Sequence, residues 1–219
     1  KMTKKILIFI SILFFTQANS QFKGKKILAI FSHPDDEQTI APILVKYADL
    51  GVSIDLVICT DGRYGVNQYN NFKAGEELVE IRKNEMKCAA NKLGVNLIHL
   101  NYHDQLKARE GFDGHIPHVR KLILELKELI ELSEPDVIIT WGPDGGTNHL
   151  DHRLVSTSVT QVFLSKEWNK EISLYYYGTP NHFIKDKKNQ TLRGQEKKYL
   201  TTEISFNDNH FKIAYDALL

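Results

Sequence analysis

Cysteine is scarce in this 219-residue chain: Cys59 and Cys88 are the full complement. Two thiols exclude a disulfide scaffold. Buried free thiols are expected rather than a bridge, because spacing alone does not establish bridging geometry. An excess of one charge is also missing. Lys and Arg number 28 against 27 Asp and Glu, for a net charge of +1. No nucleic-acid partner is therefore expected, since such partners usually need a basic face. Long apolar runs are missing as well. The longest, Ile6 to Phe15, is too short to span a bilayer. There is no internal repeat, linker or low-complexity tract, which leaves a single domain. Apolar residues make up 42% and charged residues 25%, the balance of a folded soluble protein.

The N-terminus reads as a targeting segment. Lys4 and Lys5 precede the apolar run, and Ala18-Asn19-Ser20 offers a small-x-small cleavage signal. Residues 1–20 are accordingly expected to be a signal peptide, and residues 21–219 the folded domain. The competing reading is an uncleaved anchor, which the short run supports poorly. No cysteine follows the run, so a lipid-anchored form is not expected. The expected location is outside the cytoplasm, periplasmic or secreted, with no stable membrane span after cleavage. The chain stops in apolar residues at Leu219, the pattern of a truncated domain as much as of a complete one.

Strands and helices alternate along the rest. Short apolar runs at 27–31, 52–59, 95–100 and 136–141 read as strands buried on both faces, since they do not alternate strictly. Helical periodicity falls at 38–50, 76–93 and 119–130, and again at 150–164. Pro42 is expected to bend the first of these helices. Gly51 and Gly94 are plausible C-caps. Residues 61–75 and 105–117 read as polar loops. Beyond 165 the expectations are a strand at 172–177, a solvated charged excursion at 185–198, a last strand at 200–206 and a short helix at 207–218. This order is a doubly wound α/β pattern with a mostly parallel sheet.

Chemistry-bearing residues gather at two strand ends. The first strand runs into His33-Pro34-Asp35-Asp36-Glu37, and imidazole with carboxylate suits a divalent metal such as zinc. By itself this run equally fits the acidic first turn of a helix. The fourth strand runs into Gly145-Gly146-Thr147-Asn148-His149-Leu150-Asp151-His152. The glycine pair lacks both the G-x-G-x-x-G spacing and a Walker lysine, so a nucleotide loop is not expected. His149 and His152, three apart at a helix start, can share one side of it. In an open α/β sheet, ligands bind beyond the C-terminal ends of strands, where both clusters fall.

Together the His33-Pro34-Asp35-Asp36-Glu37 run and the His149-x-x-His152 pair resemble the PIG-L/LmbE-like family of zinc-dependent N-acetylglucosaminyl deacetylases. The likeness covers roughly residues 25 to 165. It extends to Arg82-Lys83-Asn84-Glu85 leading into Leu93-Gly94. The chain departs from the family's usual His-Pro-Asp-His at Leu150. The resemblance implies a Rossmann-like three-layer domain. It implies zinc held by His33, Asp36 and His152, and Asp35 as general base. His149 would stand beside the metal, Asp104 would orient His149, and Arg82 would contact the sugar. For Arg82 a surface ion pair with Glu85 is an equal alternative. The implied substrate is an N-acetylated amino sugar or glycoconjugate, hydrolysed by metal-activated water. Two rivals stand beside this reading: a metal hydrolase of some other amide-containing conjugate, and a non-catalytic exported carbohydrate-binding protein.

Overall fold

The computed structural model describes residues 22–66, 71–184 and 194–218. The segment read as a signal peptide lies outside them, as do residues 185–193 of the charged excursion. Five strands form one sheet: β1 (Lys26–Phe31), β2 (Ser53–Thr60), β3 (Asn96–Tyr102), β4 (Val137–Trp141) and β5 (Ser173–Tyr177). Their spatial order is β3-β2-β1-β4-β5, and every pairing is parallel. Among the described residues five α-helices accompany them: α1 (Ala41–Asp49), α2 (Glu76–Leu93), α3 (Gly111–Ser133), α4 (Leu150–Leu164) and α5 (Asp208–Asp216). Among the described residues no helix is long and apolar enough to cross a membrane.

The unbroken apolar run of β1 has a direct cause. Successive side chains point to opposite faces of a strand, and both faces of this one are covered. Ile27, Ala29 and Phe31 join Leu44, Met86, Leu93 and Ala214 in one core. Leu28 and Ile30 join Leu122, Leu126, Ile130, Val155 and Val159 in the other. Helices α1, α2 and α5 therefore cover one face, and α3 and α4 the other. The result is the three-layer parallel α/β architecture expected from the alternation of elements.

The chain moves outward from β1 to β2 and β3, then returns to place β4 on the other side of β1. The order reverses between β1 and β4. A crevice opens at such a switch point, outside the C-terminal ends of the two strands. Both sequence clusters leave the sheet there.

Helices α2 and α4 have the bounds read from the sequence, and Gly94 closes α2 in the left-handed conformation (φ 72°). Other segments differ. The segment 38–50 is two pieces, a 3-10 turn at Asp36–Thr39 and then α1, with Pro42 in the first turn of α1. A proline there loses no helical hydrogen bond, so it starts the helix rather than bending it. Residues 105–117 are not a loop. Asp104–Glu110 is a pair of short turns joined across a kink at Gln105–Lys107, and α3 begins at Gly111 with Pro117 inside it. The first ten residues of α3 bury no side chain, and Gly111, Gly114 and Pro117 there are poor helix formers, which masks the helix in the sequence. Residues 200–206 form no strand; they run mostly exposed into α5. Both cysteines are free, but Cys88 is exposed, while Cys59 is buried in β2 as expected.

One carboxylate ties the bottom of the sheet together. Asp136 accepts the Lys26 backbone N–H at 2.8 Å, and its other oxygen lies 3.0 Å from Lys25 Nζ and 3.2 Å from Lys170 Nζ. Partial burial opposes ionisation, but these donors outweigh it and hold Asp136 down to about 2. A carboxyl depressed on folding contributes stability above its unfolded pKa of ~3.9 and loses it as pH falls through the folded value. Asp136→Asn should thus lower the thermal midpoint most above about pH 4. The gap to wild type should close as pH falls toward 2; a gap independent of pH would contradict this ionisation.

Candidate active site

At the end of β1 the backbone turns sharply. Asp35 has φ 96°, a conformation that costs a non-glycine residue about 1–3 kcal/mol. Glu37 helps hold it, accepting the Asp35 N–H at 3.1 Å. Burial pushes Glu37 up to about 7. The turn swings the Asp36 carboxylate back under the strand end. Asp36 Oδ2 accepts the backbone N–H of Ser32 at 3.0 Å and of His33 at 2.8 Å, and the indole N–H of Trp141 at 3.2 Å. Three donors occupy Oδ2. Oδ1 instead faces His152 Nε2 at 3.1 Å.

At the end of β4 the glycine pair lets the loop fold onto its own residues. A Cβ on Gly145 would meet His152 Cβ at 2.7 Å, and one on Gly146 would meet the Trp141 ring at 2.6 Å. Both glycines have φ near +65°. The pair is a close-packed collar rather than a phosphate cradle. It brings the Gly145 carbonyl to 2.8 Å from His152 Nδ1, with Thr147 Oγ1 at 2.9 Å. A carbonyl only accepts, so this assigns the proton to Nδ1 and turns the Nε2 lone pair outward. The Trp141 ring stacks on His152 at 4.4 Å and 6°.

The two strand ends converge. His33 Nδ1 lies 3.0 Å from His152 Nε2 and 3.7 Å from Asp36 Oδ2. On its far side, His33 Nε2 lies 2.9 Å from Asp151 Oδ2 and 3.1 Å from Asp104 Oδ1. Those carboxylates assign the proton to Nε2, and the Nδ1 lone pair points at His152. With both rings neutral, two nitrogen lone pairs and a carboxylate oxygen gather here, an arrangement that either a proton on His33 or a bound cation relieves. Donors at ~2.0–2.2 Å from one tetrahedral ion stand about 3.3–3.6 Å apart; His152 Nε2 lies 3.0 Å from His33 Nδ1 and 3.1 Å from Asp36 Oδ1, slightly closer than that. The same demand for positive charge appears in His33 itself. Burial opposes its protonation, but hydrogen bonds with Asp104, Asp151 and Asp36 outweigh that and raise it well above its ordinary value. Burial likewise opposes ionisation of Asp36, yet His152 and His33 hold it well below the usual carboxylate range.

Among the described residues, the sets whose ligating atoms all lie within 4.8 Å of one another are His33, His149 and His152, and His33, Asp104 and Asp151. The second set is better read as support than as a metal site, because its carboxylates hydrogen-bond the far nitrogen of His33. A ligand histidine held this way through its other nitrogen is a recurrent device of metal centres. The donor set His33, Asp36 and His152 can hold a divalent ion, with His149 at the rim.

Asp104 does not sit where the resemblance implied. It hydrogen-bonds His33 rather than orienting His149. His149 instead caps α4, its Nδ1 accepting the Asp151 N–H at 3.2 Å. Burial and the nearby His33 push His149 down, against the raised value that a partner carboxylate would produce. Asp151, which the sequence reading passed over, is fully buried against His33. The missed signal was a carboxylate between two histidines at a helix start. Trp141 was read only as the end of a strand.

A strained turn keeps Asp104 and Asp151 in place. Gln105, Leu106 and Lys107 have φ of 60°, 43° and 58°, three left-handed residues in a row. Each costs roughly 1–2 kcal/mol. In return the Gln105 N–H reaches Asp104 Oδ1 at 2.9 Å and Asp151 Oδ2 at 2.8 Å, while Leu106 is fully buried. Asp104 Oδ2 accepts the Tyr64 N–H at 3.0 Å, which ties the loop after β2 to the site.

Asp35 stands at the mouth. Its side chain is 48% exposed and 3.4 Å from Arg82 Nη2. Burial raises its pKa, with Arg82 partly offsetting the effect. Arg82 also reaches Glu85 at 3.2 Å and the Gly65 carbonyl at 3.3 Å, so the surface ion pair and a position beside Asp35 both hold.

The fold and site define a parallel α/β domain with a histidine–carboxylate centre at its switch point. The chain belongs to the PIG-L family, described as GlcNAc-PI de-N-acetylase, whose model matches residues 28–163. It is 29% identical over 147 residues to a 1D-myo-inositol 2-acetamido-2-deoxy-alpha-D-glucopyranoside deacetylase of Corynebacterium glutamicum. That match covers 61% of this chain and 51% of the relative, so the chain spans about half the relative's length. Among solved structures, a deacetylase of teicoplanin biosynthesis is similar in fold, with TM-score 0.67 and 15% identity over 89% of this chain and 82% of that one. The 4-carboxy-2-hydroxymuconate hydratase of Pseudomonas putida KT2440 is similar too, with TM-score 0.61 and 15% identity over 89% and 77%. At such identities the likeness concerns the fold alone, which hosts more than one chemistry.

Gly146→Ala tests the collar. Its Cβ would press on the Trp141 ring from a left-handed backbone, and overpacking of this kind costs about 1–3 kcal/mol. Urea denaturation should show an unfolding free energy lower by that amount, with a reduced midpoint; an unchanged midpoint would mean the loop does not rest on Trp141.

Proposed function

We propose that this chain is a zinc-dependent hydrolase that removes the acetyl group from an N-acetylglucosamine-type amino sugar or glycoconjugate. The observation that carries the proposal is that His152 Nε2 comes within 3.0 Å of His33 Nδ1 and 3.1 Å of Asp36 Oδ1, donors from two strand ends over a hundred residues apart. The family assignment and the named activity of the Corynebacterium relative support the substrate class. His33, Asp36 and His152 would hold the ion. When bound, zinc supplies a water of lowered pKa and polarises the amide carbonyl.

The chain's own residues supply the proton traffic. Asp35 is free of the three-donor set and open to the cleft, with a pKa raised by burial, so it is suited to take a proton from the attacking water. His149 accepts a backbone N–H at Nδ1, so its neutral form carries the proton on Nε2. That N–H is a donor for the oxyanion that develops on the substrate carbonyl. A neutral His149 is a poor acid, which leaves Asp35 to return the proton to the departing amine. Asp104 and Asp151 hold the His33 ring from behind. Arg82, beside Asp35, is suited to meet the sugar. The N-terminal pattern supports export, and detection of the protein only in the cytosol with residues 2–20 intact would contradict that.

Release of free amine from N-acetylglucosamine derivatives, with and without chelator, tests the reading. Asp35→Asn should keep its zinc and lose about 10²–10⁴-fold in turnover. His152→Ala should lose both metal and turnover. Full activity in Asp35→Asn would overturn its assignment as base, and chelator-insensitive activity would overturn the metal.

A further inference from the structure

Trp141 touches two of the three donors at once. Its indole N–H reaches Asp36 Oδ2 at 3.2 Å, and its ring lies flat on His152 at 4.4 Å. It has little freedom to do anything else. Phe31 packs edge-on at 5.2 Å, Tyr177 edge-on at 5.6 Å, and Gly146 closes against the ring edge. The residue is 2% exposed. An indole N–H only donates, and a buried one needs an acceptor. The acceptor here is the oxygen of Asp36 that already takes two backbone N–H groups.

We infer that Trp141 is a positioning residue that makes Asp36 a one-oxygen donor, by occupying Oδ2 and steering Oδ1 alone toward His152 and the ion. The inference rests on the reading that His33, Asp36 and His152 hold a metal. Carboxylates bind metals through one oxygen or two. A second oxygen would take up a coordination position that a catalytic site must keep for water or substrate. The two backbone donors come from β1 and its turn, and approach Oδ2 from one strand end. Trp141 supplies the remaining hydrogen bond from β4, so the carboxylate is pinned from both sides of the switch point. The flat stack fixes the His152 ring plane at the same time, so one side chain sets the orientation of two ligands.

Trp141→Phe retains an aromatic ring for the stack and removes the N–H. Zinc affinity, read by competition with a chromophoric chelator, should fall roughly 10–100-fold, the range for lost partners behind metal ligands. The visible absorption of the Co2+-loaded variant should weaken relative to Co2+-loaded wild type, as expected when a second carboxylate oxygen raises the coordination number. Wild-type affinity and an unaltered Co2+ spectrum in the variant would overturn the inference alone. No zinc binding by the wild type would overturn the underlying reading and this one with it. Should Trp141→Phe fail to fold by circular dichroism, Trp168→Phe decides, since it leaves Trp141 as the sole tryptophan of the two. Its emission should change on Zn2+ addition with the midpoint found by chelator competition; emission indifferent to bound zinc would overturn the inference.

Discussion

The pairing of β4 directly beside β1 is the constraint on which the site depends. Register matches Ile27 with Val137 through Ile30 with Thr140, so the two strands end side by side. Without that adjacency, His33 and His152 would be two unremarkable histidines 119 residues apart. The adjacency follows from burial. Both strands are apolar on both faces and belong in the middle of a covered sheet, and the reversal of strand order between them opens the crevice. Core packing and site geometry are therefore linked: what buries Leu28 and Ile138 also brings His33 and His152 together.

Around that crevice the second layer of contacts matters as much as the donors. Each imidazole is held by its far nitrogen, His33 by Asp104 and Asp151, His152 by the Gly145 carbonyl. These bonds decide which lone pairs face inward. Part of the fold's stability is given up to maintain them, in the left-handed run 105–107 and at Asp35. Strain of this kind persists where surrounding packing overdetermines it. The fully buried Leu106 and the carboxylates facing the Gln105 N–H do so here.

How much of this was legible in the sequence varied with the range of the interaction. His33, Asp35 and Asp36 could be named because they follow an apolar strand within five residues, and His149 and His152 because they sit at the start of the helix after the fourth strand. Helices α2 and α4 could be bounded because their apolar periodicity and end residues are local signals. Contacts between distant segments left no such mark. Asp104 was assigned to His149, whereas the fold turns it to His33. Trp141 looked like core, and it is core; its N–H bond to Asp36 spans 105 positions and no local pattern announces it. The start of α3 was hidden because Gly111, Gly114 and Pro117 are poor helix formers and none of its first ten residues is fully buried. Residues 200–206 have the apolar content of a strand but no ladder partner among the described residues.

In the proposed centre one cation is shared by two imidazoles and one carboxylate oxygen. X-ray absorption at the zinc edge of the metal-loaded protein should then show a shell of nitrogen and oxygen at about 2.0–2.2 Å, with the outer-shell scattering of two imidazole rings and no sulfur at ~2.3 Å. A spectrum lacking imidazole scattering, or one dominated by sulfur, would contradict it.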